Sequence, residues 1–262
     1  MKLTARDVSV RLGRMDVLRK VSLTAQAGCL TAIIGPNGSG KTTLLRALTG
    51  ELSPVAGQIM LNGNDMTGFA PHDLAVRRAV LPQHAALSFP FTATEIVRIG
   101  LTSHPGPDTA RDGLIRAALA AVDLPGHGGR FYQEMSGGEQ QRVQLARAMV
   151  QVWQPVAEDG PRWLFLDEPV SSLDIAHQLA VMRLAADYAE RGGGVVAVMH
   201  DLNLTAMFAG HVLLMHDGQS VAEGPPQEVL TDEMLSHVYG CRLCVNRVPD
   251  SGIWLLPQLA AV

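Results

Sequence analysis

Three cysteines, Cys29, Cys241 and Cys244, are too few and too unevenly spaced for a disulfide framework, and so point to a reducing cytosol. No apolar run approaches the ~20 residues that span a bilayer, so work at a membrane would require other chains to hold this one there. The opening Met1-Lys2-Leu3-Thr4-Ala5-Arg6-Asp7 has no apolar signal-peptide core. Clustered Lys and Arg are missing as well. With a formal charge of −4 the chain lacks the basic stripe of an extended nucleic-acid surface, and no nucleic-acid partner is expected. Internal repeats and low-complexity tracts are also missing. What is present is a 47% hydrophobic composition over 262 residues, enough to bury a core as one domain, 1–262.

The chain is organised around Gly35, Pro36, Asn37, Gly38, Ser39, Gly40, Lys41, Thr42 and Thr43. An apolar strand at 30–34 runs into this stretch and a helix-prone run at 44–48 leaves it. It fits the pattern G-x-x-x-x-G-K-[ST], in which glycines let backbone N–H groups point inward around phosphate oxygens. The positive end of the following helix adds to the anion cradle. Lys41 would place its ammonium on the β- and γ-phosphates, and the Thr42 hydroxyl would ligate Mg²⁺. The plain alternative is a glycine turn before an ordinary helix.

Around this stretch the sequence alternates. Residues 3–10 and 21–25 read as half-buried strands of a small antiparallel sheet, broken by Gly13 and Gly28. A further strand at 58–61 precedes the Asn62-Gly63 turn, and Val80-Leu81 ends at Pro82-Gln83. From 88 to 150 helical spacing takes over, with loops at Pro105-Gly106-Pro107 and residues 125–129, so a mostly helical insert interrupts an α/β core. Then come a continuous apolar strand at 163–166, a helix at about 176–190, a strand at 195–198, a helix after Asp201, a strand at 212–215 and a hairpin through Asp217-Gly218. That order predicts a parallel sheet with helices on its faces. Pro225-Pro226 opens a short C-terminal extension, 225–262, in which residues 253–257 are expected as a packed strand.

Asp167 ends the buried strand, at the sheet edge where ligands bind in parallel α/β folds, and can hold Mg²⁺ beside Thr42. Glu168, one residue on, faces another direction and could align the attacking water or accept its proton. Two adjacent acids also cap helices routinely. His200 falls at the same edge, where an imidazole could donate to a γ-phosphate oxygen; only that position sets it apart from the other eight histidines. Ser136, Gly137, Gly138 and Glu139 form a capped helix start with a bared backbone, a second anion site. One chain with two such sites is explained if the second reaches the nucleotide of another copy, which predicts a two-fold dimer with two ATPs at the seam. An ordinary capped helix is the alternative. His237 with Cys241 and Cys244 gives three metal donors at most, short of the four a structural zinc site uses.

The phosphate loop, Gln83 after a strand, Met135-Ser136-Gly137-Gly138-Glu139, Leu164-Phe165-Leu166-Asp167-Glu168, Ser171-Ser172-Leu173-Asp174 and His200 occur in the order found in ABC-transporter ATPase subunits. The resemblance runs from about residue 3 to 223. It implies an α/β P-loop NTPase (RecA-like) core with a parallel sheet, an N-terminal antiparallel β subdomain and an inserted helical subdomain. It also implies ATP and Mg²⁺ as cofactors. Under it Glu168 is the catalytic carboxylate, His200 the γ-phosphate switch and Gln83 a sensor of Mg²⁺ and the membrane partner. Ser136 and Gly138 contact the opposite protomer's ATP, and Asp174 ties the two sites together. The partners implied are a second copy, two polytopic permease subunits and, indirectly, a periplasmic haem-binding protein, with the chain peripheral on the cytoplasmic side of the inner membrane.

Two positions depart from the family pattern. Met135 and Glu139 replace the first and last members of Leu-Ser-Gly-Gly-Gln, with no loss of activity expected. The usual adenine-stacking aromatic is matched by Leu12, which has no π-face. Within the family, Phe89-Pro90-Phe91-Thr92-Ala93-Thr94-Glu95-Ile96-Val97 resembles importers of iron chelates, haem and cobalamin. The segment 154–161 and the run 168–178 are most similar to haem-import ATPases. Ferric-siderophore or cobalamin import is the alternative cargo reading. A soluble ABC protein would carry a long coiled-coil insert or two ATPase units, and a small-molecule kinase would leave Ser136-Gly137-Gly138 unexplained.

Overall fold

A computed structural model describes residues 1–83, 89–102 and 107–259. The expected start of the helical insert at Ser88, the loop residues Pro105 and Gly106, His84, His104 and the last three residues of the extension lie outside these.

The chain opens with strands β1 (Lys2–Leu12) and β2 (Met15–Gln26), paired antiparallel about Gly13. Strand β3 (Leu30–Ile34) leads through the glycine loop into α1 (Lys41–Leu48), followed by β4 (Ala56–Leu61) and β5 (Asn64–Asp65). Next come α2 (Pro71–Arg77) and β6 (Arg78–Leu81), then α3 (Ala93–Ile99), α4 (Asp108–Ala121) and α5 (Gly137–Gln151). A two-residue ladder, β7 (Val156–Ala157) with β8 (Gly160–Pro161), occupies the segment before β9 (Trp163–Asp167). The remainder is α6 (Ile175–Glu190), β10 (Gly194–Val198), α7 (Leu202–Phe208), β11 (His211–His216), β12 (Gln219–Gly224), α8 (Pro226–Val229) and α9 (Asp232–Tyr239).

Strands β12, β11, β3, β10, β9 and β6 lie side by side in that order. All pair in parallel except β12, which returns antiparallel on β11. The antiparallel sheet has the order β2, β1, β4, β5. The apolar runs of the central strands have a simple cause: successive side chains point to opposite faces, and both faces are covered. Ala32, Ile34, Leu164, Leu166, Val195 and Ala197 join one core with α3, α4, α5 and α6. Ile33, Trp163, Phe165, Val196 and Val198 join the other, with α1 and the antiparallel sheet. The C-terminal ends of β3, β6, β9 and β10 therefore share one edge, carrying the phosphate loop, Gln83, Asp167 and His200.

Helix starts are fixed by caps. Thr92 with Glu95 and Ser136 with Glu139 form complete capping boxes on α3 and α5, while Asp174 and Asp201 cap α6 and α7. Helices α8 and α9 and the short strands β5, β7 and β8 add to the elements read from the sequence. Helix α2 is likewise absent from the sequence pattern, although Pro71 at its first turn is a recognised start. Residues 253–257 form no strand: Ile253 is 99% and Leu255 80% exposed, because apolar composition alone supplies no free sheet edge to pair with. Pro257–Leu259 instead forms a short 3-10 turn beside α7, with Gln258 Nε2 3.5 Å from Asn203 Oδ1.

Candidate nucleotide-binding site

The loop between β3 and α1 can only be built with glycine at its key corners. Gly35 sits at φ +146, and a Cβ there would lie 2.2 Å from the Met215 carbonyl oxygen; at Gly40, φ +97, it would lie 2.7 Å from Leu18 Cδ2. Gly40 also caps α1 without offering a side-chain acceptor, which leaves the first-turn N–H groups to an outside anion. Lys41 is buried, and its Nζ donates to the Gly35 and Pro36 carbonyls at 2.9 Å each. Burial pushes the Lys41 pKa down against the pull of Glu168 and Asp167. Phosphate oxygens would restore what burial takes from the ammonium.

Across the loop, Thr42 Oγ1 donates to Asp167 Oδ1 at 3.2 Å. Burial pushes the Asp167 carboxyl upward, opposed by the Thr42 hydrogen bond. A hydroxyl and a desolvated carboxylate are hard oxygen donors that suit a divalent cation such as Mg²⁺. Glu168 stands apart from this pair. It lies at φ +51, and its Oε1 is 2.6 Å from His200 Nε2, the ring N–H donating to the carboxylate. The adjacent acids thus point to different partners, as the sequence reading expected. A cavity of about 730 Å³ brings together the loop, Lys41, Thr42, Gln83, Glu168, Ser171 and His200. Val17 lines it too, whereas Leu12 does not and is 43% exposed at the end of β1. Gln83, exposed, also borders a smaller hollow of about 210 Å³ with Arg46, Glu51 and Asp167.

Ser136 and Gly137 are exposed at the start of α5 and do not line that cavity within one chain. Ser136 Oγ accepts from Glu139 N at 3.3 Å, and Glu139 accepts from Ser136 N at 2.8 Å and from Arg130 Nη1 at 2.7 Å. The Ser136 N–H, then Arg130 and the Ser136 hydroxyl, hold the Glu139 carboxyl down at about 2. Asp174 accepts from His177 N at 3.0 Å and from its ring Nδ1 at 2.8 Å, and the backbone bond leads in lowering its pKa. Among the described residues no group of three or more His, Cys, Asp or Glu is placed to hold a metal, and Cys241 and Cys244 are exposed.

Residues 18–171 match the family model described as ABC transporter, which covers more than half the chain. The chain belongs to the ABC transporter family. This ABC ATPase is 58% identical to a hemin import ATP-binding protein, HmuV, of Jannaschia sp. (strain CCS1), over 98% of this chain and 95% of that one. It is 55% identical to the HmuV protein of Rhizobium meliloti (strain 1021), over 98% and 99%. Among solved structures, a dimeric bacterial ABC transporter cassette superposes with a TM-score of 0.74 at 25% identity, covering 86% of this chain and 98% of that one. An ATP-binding subunit of an ABC transporter gives 0.77 at 22% identity, over 92% and 95%, a likeness of fold. The ABC ATPase binds ATP and couples its hydrolysis to transport. No helix among the described residues is long and apolar enough to cross a membrane.

Proposed function

We propose that this chain is the ATP-binding subunit of a hemin importer, acting as a pair of copies beneath two polytopic permease subunits on the cytoplasmic face of the inner membrane. A periplasmic haem-binding protein would deliver the cargo. The whole of 1–262 acts as one ATPase unit, with 88–150 as the inserted helical subdomain and 225–262 as a short extension. The near-full-length likeness to hemin import ATP-binding proteins carries the cargo, because nothing in the nucleotide site touches it.

In this reading residues 35–43 bind the triphosphate, with Lys41 on its outer phosphates. Thr42, Asp167 and Gln83 would hold Mg²⁺, which when bound neutralises charge on the phosphate oxygens. Glu168 aligns the water that attacks the γ-phosphate and takes its proton. His200, already hydrogen-bonded to Glu168, shifts its N–H to a γ-phosphate oxygen and so registers a triphosphate. Ser136, Gly137, Gly138 and Glu139, which do not line their own chain's cavity, close over the partner copy's ATP, and Asp174 links the two sites. The hollow beside Gln83 receives the permease.

Growth on hemin as sole iron source tests the cargo. A strain lacking this chain is expected to regain growth with the wild-type chain and not with Lys41→Ala. Restoration of ferric-siderophore or cobalamin use instead, with no effect on hemin, would replace haem by that cargo.

A further inference from the structure

Gln141 lies in the first turns of α5, five residues beyond the Ser136 cap, and reaches the turn that follows β9. Its Nε2 donates to the Glu168 carbonyl at 3.0 Å, and its Oε1 accepts from the Ser172 hydroxyl. The carbonyl it holds belongs to a residue at φ +51, a left-handed conformation that costs a glutamate energy and persists only when neighbours enforce it. Ser171 supplies two longer contacts to the same oxygen, its N at 3.4 Å and its Oγ at 3.3 Å. On its other side the Glu168 N–H donates to Val198 in β10 at 3.2 Å. The residue that carries the carboxylate is thus tied to the sheet through its N–H and to α5 through its carbonyl.

Packing reinforces the tie. A Cβ at Gly138 would lie 3.2 Å from Leu173 Cδ2 and 3.5 Å from the Ser172 carbonyl, so the helix start rests on the same turn. Gln141 is half-buried there, shielding its amide from competing water.

We propose that Gln141 is a positioning residue for hydrolysis, strapping the Glu168 peptide to the helix whose exposed N-terminus meets the other copy's ATP. Arrival of that ATP at Ser136 then reaches the carboxylate serving this chain's own ATP through a single amide. The inference rests on Glu168 as the hydrolytic carboxylate and on the Ser136 end as a site completed in trans.

The test uses the purified full chain with MgATP. Gln141→Glu keeps the side-chain shape and an acceptor for Ser172 but has no donor for the Glu168 carbonyl; Gln141→Leu removes both bonds. Both variants are expected to lose tenfold or more in kcat, with KM for ATP within twofold and an unchanged Tm. A wild-type kcat in either, or a kcat loss matched by lost ATP affinity or lowered Tm, would overturn the strap. Single-turnover rates separate this from the reading beneath it. Adding Gln141→Leu to Glu168→Gln should cause no further loss, since both act at one group. An additive loss overturns the strap alone, whereas Glu168→Gln at the wild-type rate overturns the role given to Glu168.

Discussion

His200 Nε2 and Glu168 Oε1 lie 2.6 Å apart at the ends of two adjacent parallel strands, β10 and β9. The carboxylate is 15% exposed and the imidazole 42%, so the bond sits at the mouth of the nucleotide cavity, where a γ-phosphate can compete for the ring N–H. Glu168→Gln is expected to slow hydrolysis about 10²- to 10⁴-fold, the range for losing a general base. The variant should then accumulate as an ATP-bound dimer on size exclusion. His200→Ala should retain ATP binding and lose turnover; normal turnover would remove the switch role.

Ser136→Arg places a long cation at the exposed start of α5. Because Ser136 does not line the chain's own cavity, ATP binding by the monomer should stay within twofold while steady-state hydrolysis disappears. Normal turnover would mean that each ATP is served by one chain alone.

Val17, which lines the cavity, gives a third expectation. Val17→Ala removes roughly two methyl groups at ~0.8 kcal/mol each when fully buried, and less here because Val17 is only half-buried. ATP affinity should fall about threefold to tenfold by fluorescence titration. Leu12→Ala should leave it within twofold, and the reverse ranking would make Leu12 the base contact.

Glu139 makes stability depend on acid. Its carboxyl is held at about 2 in the folded chain against an ordinary 4.5, so the stabilisation is complete above 4.5 and is lost as pH falls through 2. Gln in its place keeps an acceptor for the Ser136 N–H but loses the charge facing Arg130. Glu139→Gln should therefore melt below wild type above pH 5, the gap closing towards pH 2. A gap independent of pH would show that charge plays no part in this cap.

Much of the site was legible in order along the chain. Residues 35–43 announce a phosphate cradle because glycine spacing, Lys41 and Thr42 answer to local backbone geometry. The continuous apolar run at 163–166 announces a doubly covered strand, and with it the edge on which Asp167 and Glu168 stand. Where a reading needed a neighbour rather than a pattern, it went astray: 253–257 has the composition of a strand and no edge to join.

Sequence by itself determined the order of motifs, the alternation that makes a parallel sheet, and the caps that start the helices, since these depend on residues a few positions apart. Only tertiary structure decided that Thr42 meets Asp167 while Glu168 turns to His200, and that Gln141 holds the Glu168 carbonyl. Those pairings span tens to more than a hundred positions, and strand register together with one left-handed residue, not local spacing, fixes where such side chains converge.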